Sequence, residues 1–162
     1  MHPDGRLLLE PLRVDHAEEM VAVLADTELY AYTGGAPPTL YELQARYGAQ
    51  VRGPADGGEA WRNWVLRERA SGEAVGFVQA TIVCDEAEVA WLVGIPWQGR
   101  GLAVEAAQAL VATLAADGIA RLQAHIHPEH TASQRVAQAI GLVRSGEVDD
   151  DGEEIWTSGP QP

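Results

Sequence analysis

The chain has no lysine. Its 11 basic residues are all arginine and face 24 acids, which leaves a formal net charge of −13. A protein that grips nucleic acid needs a basic face to neutralise phosphates, so this balance argues against a nucleic-acid partner. There is one cysteine, Cys84. That excludes an internal disulfide and suits a cytoplasmic location. Cys84 ends a strand-like run and reads as a small core or edge residue. No apolar run reaches the length of a membrane span, and Met1 to Arg6 is polar without a signal-peptide pattern. Internal repeats, linkers and low-complexity segments are also lacking. What remains is 162 residues, 46% hydrophobic and 22% charged, enough for one domain with its own core. The expectation is a single domain over 1–162, with a frayed tail at 157–162. The excess of acid suits a cationic substrate such as an amine, and it suits plain solubility equally.

Periodicity supplies the elements. Leu7, Leu8, Leu9 and Leu12 mark a first strand over Arg6–Arg13. Asp15 with Glu18 resembles a capping box for a helix carrying Ala17, Val21 and Leu24, and Thr39 with Glu42 opens a second helix. Two strand runs, Trp61–Arg69 and Ala74–Val83, flank the turn Ala70–Glu73, and a third covers Glu86–Ile95. A long Ala-rich helix over Val104–Ala116 stops at Asp117-Gly118. In Arg121–His127, Leu122, Ala124 and Ile126 face one side and Gln123, His125 and His127 the other. A helix over Thr131–Ile140 and strands Val143–Val148 and Glu153–Thr157 complete the chain. Hairpin strands with interspersed helices predict an α/β domain (α+β by some schemes). Its sheet is mixed and mostly antiparallel, with helices on both faces. The unit from Glu88 to His127 should be a parallel, right-handed crossover.

The most informative stretch is Gln98-Gly99-Arg100-Gly101-Leu102-Ala103, between a strand and the long helix. A glycine-rich turn into a helix N-terminus exposes backbone N–H groups where the helix dipole adds partial positive charge. That is a pyrophosphate cradle that needs no basic side chains.

These residues resemble the GNAT superfamily of N-acetyltransferases, in particular its ribosomal-protein-alanine (Rim-type) branch. The family pattern Gln/Arg-x-x-Gly-x-Gly/Ala is matched by Gln98-x-x-Gly101-x-Ala103. Trp91-Leu92 precedes it and Glu105-Ala106 follows. A second block, Asn-x-x-Ser-x-x-Val…Gly-Phe in the family, reads His130-x-x-Ser133-x-x-Val136…Gly141-Leu142. The resemblance implies a splayed parallel strand pair forming the cofactor cleft, with acetyl-CoA as donor; no metal is expected, on the reading of the histidine run given below. It implies a primary amine as acceptor, either a small cationic amine or a protein N-terminus, and dimers are common among similar enzymes. By position, the backbone of Leu92, Val93, Gly94 and Ile95 would pair with the pantetheine arm. Gln98, Gly99, Arg100, Gly101, Leu102, Ala103 and Val104 would hold the pyrophosphate. Arg100 and Arg135 are near enough in sequence for phosphate contacts or for simple solvation.

Acetyl transfer to an amine needs a base for the ammonium, donors for the developing oxyanion and a proton for the departing thiolate. In similar enzymes a glutamate on the strand before the turn serves as base, and Glu88 is nearest that place. Glu86 competes with it, and Asp85 belongs to the turn. Many members carry a tyrosine acid four residues after the serine of the second block. Here that position is Ala137, and Ser133 is the matching donor of the Rim-type branch. His130 replaces the usual asparagine and reads as a polar contact to the cofactor. The run His125-x-His127-x-x-His130 with Glu129 reads as structural or substrate-facing rather than metal-binding, lacking a cysteine or aspartate partner at ligand spacing. Trp97, just before the turn, is placed to wall the cleft. Tyr30, Tyr32 and Thr33-Gly34-Gly35 fall where the superfamily lines its acceptor site. The missing tyrosine and the substituted asparagine motivate an alternative, a non-catalytic CoA-binding sensor or regulatory module. A metal-dependent small enzyme is a third reading.

Overall fold

Seven strands form one sheet, in the order β1-β2-β3-β4-β5-β7-β6, in the computed structural model, which describes residues 5–159. The strands are β1 (Leu7–Pro11), β2 (Ala60–Glu68), β3 (Ala74–Val83), β4 (Glu86–Val93), β5 (Arg121–Ile126), β6 (Leu142–Val148) and β7 (Glu154–Ser158). The helices are α1 (Ala17–Val23), α2 (Leu40–Arg52), α3 (Leu102–Ala116) and α4 (Thr131–Ala139). All neighbours are antiparallel except β4 and β5. The mixed, mostly antiparallel sheet with one parallel pair is therefore the architecture the sequence predicts.

Strand alternation decides which side chains go where. Ala87, Val89 and Val93 of β4 and Leu122, Ala124 and Ile126 of β5 are buried in one core with Leu102, Ala106, Leu110 and Leu114 of α3. On the other face, Met20 and Val23 of α1 and Leu43 and Tyr47 of α2 pack over Val65 and Ala74, with Leu92 and Phe77 against them. Glu88 and His125 alternate with the first set and so face the side of the sheet that carries α1 and α2.

The parallel pair is short. Its rungs join Glu86 to Arg121, Ala87 to Leu122 and Glu88 to Gln123, and end there. Beyond Glu88 the strands part, while β4 stays paired with β3 as far as Val93. The Gly94 N–H then donates to the Val75 carbonyl at 2.8 Å. That bond fixes the alternation of the ladder. Leu92 and Gly94 turn their N–H and C=O groups toward β3, and Trp91 and Val93 turn theirs toward the opening.

Several local expectations change. Thr39 and Glu42 do form a reciprocal capping box, each side chain meeting the other's N–H at 3.1 Å. Asp15 does not cap α1. The chain makes a 3-10 turn over Val14–His16, the His16 Nδ1 accepts the Arg13 N–H at 3.0 Å, and Asp15 pairs with the Arg13 side chain. Cys84 is not a core residue: it is exposed in the β3–β4 turn at φ 56°. The third strand run stops at Val93 and Ile95–Trp97 forms a 3-10 turn. Thr157 and Ser158, expected in the frayed tail, pair with Gln123 and Leu142. Residues 1–4 and 160–162 lie outside the described part, with most of the polar start and the end of that tail. No helix among the described residues is long and apolar enough to cross a membrane.

Candidate active site

The β4–α3 turn stands on two left-handed glycines, Gly99 at φ 78° and Gly101 at φ 76°, a conformation strained for any residue with a Cβ. The Gln98 N–H donates to the Ile95 carbonyl and the Glu105 N–H to the Gly101 carbonyl, each at 3.2 Å. Between them, the N–H groups of Gly99, Arg100, Gly101, Leu102, Ala103 and Val104 have no protein acceptor among the described residues. They form a continuous row of donors at the N-terminus of α3, where the helix dipole is positive. The Gln98 side chain donates to the Val93 carbonyl at 2.9 Å, tying the turn to the end of β4.

Arg100 serves the turn in another way than a phosphate contact. Its guanidinium reaches back to the Glu68 carboxylate on β2 at 2.6 Å. Glu68 also accepts from the Ser71 hydroxyl at 2.7 Å, and Ser71 first and Arg100 second hold its pKa below the usual carboxylate range. Arg6 donates to the Arg100 carbonyl at 2.8 Å. The Arg100 side chain thus braces the turn, leaving its N–H in the row. Arg135 is exposed. Trp97 covers Gly94, where a Cβ would sit 2.9 Å from the ring. It lines a cavity on the α1 side with Val23 and Pro96.

Glu88 occupies the vertex where β4 and β5 separate, with its side chain 48% exposed. Glu86 and Asp85 are both paired with Arg121, at 3.2 and 3.3 Å. The neighbour of Glu88 is His125, whose Nε2 lies 3.6 Å from the Glu88 Oε1. The His125 Nδ1 in turn lies 2.7 Å from the Asp149 Oδ2. Asp149 comes from the β6–β7 turn, and its Oδ1 accepts the N–H groups of Asp151 and Glu153 at 2.9 Å. The hydrogen bond with His125, followed by the Glu153 N–H, holds the Asp149 carboxyl below its ordinary range. Burial and the nearby Asp149 charge push Glu153 up.

Ser133 lies in the first turn of α4, with its hydroxyl 3.4 Å from the His130 Nε2. The His130 ring stacks on Tyr32, centroids 4.4 Å apart and planes 13° apart, and Tyr32 tilts against His127 at 5.3 Å. Burial first and His127 second lower the His130 pKa, favouring its neutral form. The segment after α1 therefore reaches across to the β5–α4 loop. No hydrogen bond or ion pair among the described residues joins Glu88 to Ser133.

Two contributors escape the sequence reading. Gln134, buried in α4, clamps the loop by donating to the Pro128 carbonyl at 2.7 Å and accepting from Arg144 at 3.1 Å. Nothing in its sequence setting distinguishes it from other polar helix residues. Asp149 reads as a turn acid, and only sheet order brings it to His125. The three histidines meet separate polar partners, His125 at Asp149, His130 at Ser133 and the His127 Nδ1 at the Glu129 N–H at 3.0 Å, while Tyr32 touches both His127 and His130. The acidic oxygens that converge are those of Asp149, Asp151 and Glu153, and the oxygens of Asp149 are already engaged.

A family model described as an acetyltransferase (GNAT) domain matches residues 6–143. The chain belongs to the GNAT acetyltransferase family. Its parted β4–β5 pair and the donor row thus belong to a GNAT N-acetyltransferase domain. Solved GNAT structures share the fold. An acetyltransferase (GNAT family) from Bacillus anthracis is 20% identical, with 94% of this chain and 93% of that chain covered and a TM-score of 0.76. AAC(6')-Ib, in complex with paromomycin and acetyl-CoA, is 20% identical over 94% and 92%, with a TM-score of 0.78. A Vibrio cholerae protein provisionally described as a ribosomal-protein-serine acetyltransferase is 20% identical over 99% and 100%, with a TM-score of 0.79. No curated protein sequence matches the chain.

Proposed function

We propose that this GNAT chain, working as one domain over 1–162, transfers an acetyl group from acetyl-CoA to a primary amine by direct attack of the amine on the thioester. The observation that carries this reading is the row of unpartnered N–H groups from Gly99 to Val104, at the open end of a parallel pair that has come apart. A pyrophosphate suits that row. From it, the inward-turned Val93 N–H and the backbone groups of Trp91 offer partners to an amide-bearing arm running down the opening, the Val93 carbonyl already accepting from Gln98. Of Leu92, Val93, Gly94 and Ile95, Val93 is the strand residue whose backbone faces that arm. At about 3.3 Å per strand residue, Val93 to Glu88 spans roughly 17 Å, a length an extended pantetheine arm covers. The thioester then lies near the vertex, beside Glu88.

Acetyl-CoA supplies the activated acyl carbon. Glu88 draws the incoming ammonium and accepts its hydrogen bond. The Ser133 hydroxyl is the candidate donor to the departing sulfur, with the neutral His130 ring behind it. The acceptor we favour is a small cationic amine, because Glu88, Asp149, Asp151 and Glu153 make the vertex acidic, and AAC(6')-Ib has been captured with amine-bearing ligands. A protein N-terminus is the other acceptor class.

The test is a thermal-shift titration with acetyl-CoA against NADH and ATP, followed by thiol release with a polyamine or an aminoglycoside. A ligand at about 100 times its Kd adds roughly 2.7 kcal/mol of stability, so a saturable rise with acetyl-CoA is expected, and then amine-dependent thiol. No shift at millimolar acetyl-CoA would sink the reading. A shift without thiol release for any amine would leave the non-catalytic CoA-binding module.

A further inference from the structure

The cluster Glu88–His125–Asp149 holds more than a single carboxylate base requires. Asp149 is an anion by virtue of its hydrogen bonds, and a carboxylate only accepts. Its Oδ1 already receives two backbone N–H groups, and its Oδ2 meets the His125 Nδ1 at 2.7 Å. That contact requires the proton to sit on Nδ1. In the neutral ring, Nε2 then carries a lone pair. Nε2 lies 3.6 Å from the Glu88 Oε1, a separation too long for a hydrogen bond between the two. Two acceptors side by side at the vertex leave room for a donor with more than one N–H, which describes a primary ammonium placed about 2.9 Å from each.

We propose that His125 takes the proton from the acceptor's ammonium at Nε2, that Asp149 is the positioning residue that fixes its tautomer, and that Glu88 supplies the facing negative charge. This rests on the acetyl-transfer reading above. In the step, one N–H bond of the ammonium breaks and an Nε2–H bond forms, giving an imidazolium between two carboxylates. The freed amine lone pair forms the C–N bond, and the C–S bond breaks with its electron pair going to sulfur. The thiolate takes its proton from the Ser133 hydroxyl, which recovers one from the remaining extra proton on the attacking nitrogen, and the imidazolium returns its proton to water. Amide, thiol and one released proton are the products. Imidazole is the side chain whose ordinary titration lies nearest neutral pH, where a general base works best. The titratable groups around the ring are Glu88 from β4 at 3.6 Å and Asp149 from the β6–β7 turn at 2.7 Å, with Glu153 of the same turn near enough to feel its charge.

The experiment compares the full chain with H125Q and D149N. Glutamine at 125 can still donate to Asp149 but accepts no proton. Asparagine at 149 donates to Nδ1 and drives the histidine proton onto Nε2. Both variants should keep the acetyl-CoA thermal shift and lose about 100-fold or more in kcat, the usual contribution of a general base. H125Q should also lose the acidic limb of the pH profile. Nitrogen NMR of the unmodified protein should show the His125 proton on Nδ1, moving to Nε2 in D149N. An H125Q enzyme within about three-fold of the parent, with its acidic limb intact, overturns the proposal. If acetyl-CoA binds but no amine is turned over by the parent, acetyl transfer itself is at fault. The tautomer then decides for the cluster: a proton on Nδ1 supports the arrangement and a proton on Nε2 overturns it.

Discussion

His16 is 1% exposed, and its Nε2 is buried without a hydrogen-bond partner. Burial first and the Arg13 charge second lower its pKa below the ordinary 6.5. His130 shifts the same way, through burial and His127. In the folded chain both rings stay neutral where the unfolded chain already binds protons, so stability falls as pH drops below 6.5. Glu19, Glu68 and Asp149 also have lowered pKa values, but the corresponding loss begins only below about 4.5 for the glutamates and 3.8 for the aspartate. Glu153, held up, has the opposite sign. The melting temperature should therefore decline between pH 7 and 5, and H16N should flatten that decline. Parallel slopes in parent and variant would assign it elsewhere. The same residue marks a limit of reading the sequence. The Thr39–Glu42 box was legible because both partners lie within one helical turn. The Asp15–Glu18 box has the same spelling, and it fails because His16 captures the Arg13 N–H in a 3-10 turn that no spacing announces.

The start of α3 joins backbone strain to the donor row. Gly101 holds φ 76° as its N-cap and Gly118, at φ 82°, follows its C-cap. Replacing either by alanine places a Cβ in the left-handed region, at roughly 1–2 kcal/mol. Each kcal/mol lowers Tm by about 2–4 °C in a chain of this size. G101A and G118A should thus lose similar stability, but only G101A should raise the Kd for acetyl-CoA, by several-fold, because it tilts the N–H groups of the row. Equal affinities in the two variants, by titration calorimetry, would remove the turn from the binding site. The turn itself was legible, since glycine spacing and the flanking periodicity state it directly. The crossover from β4 to β5 was legible for the same reason. The insertion of β7 between β5 and β6 was not. A hairpin pattern says that two strands pair with each other and leaves open which of them meets the rest of the sheet. That choice brings Asp149 to His125, so alternation could put His125 on the right face while its partner stayed unread.

At the scale of the molecule, the proposed reaction sets the charge of −13 against two ligands of opposite sign. Acetyl-CoA is an anion and must approach an acidic protein. The two guanidiniums at the turn already have partners, Arg100 with Glu68 and Arg6 with Glu105 and the Arg100 carbonyl, so attraction there comes chiefly from N–H groups and the helix dipole, which act at contact range. The favoured acceptor is a cation, and the field of the whole chain concentrates it around the vertex. Salt screens the long-range part of both effects, with a Debye length of about 10 Å at 0.1 M and about 3 Å at 1 M. The two ligands should therefore respond in opposite directions. Raising sodium chloride from 0.1 to 1 M should increase KM for a polyamine several-fold while leaving Kd for acetyl-CoA unchanged or lower. A neutral polyether of similar length, used in place of the added salt, should move neither constant. If KM for the polyamine is flat across this range, the acidic surface serves solubility alone, and the preference for a cation must come from the contacts of Glu88, His125 and their neighbours at the vertex.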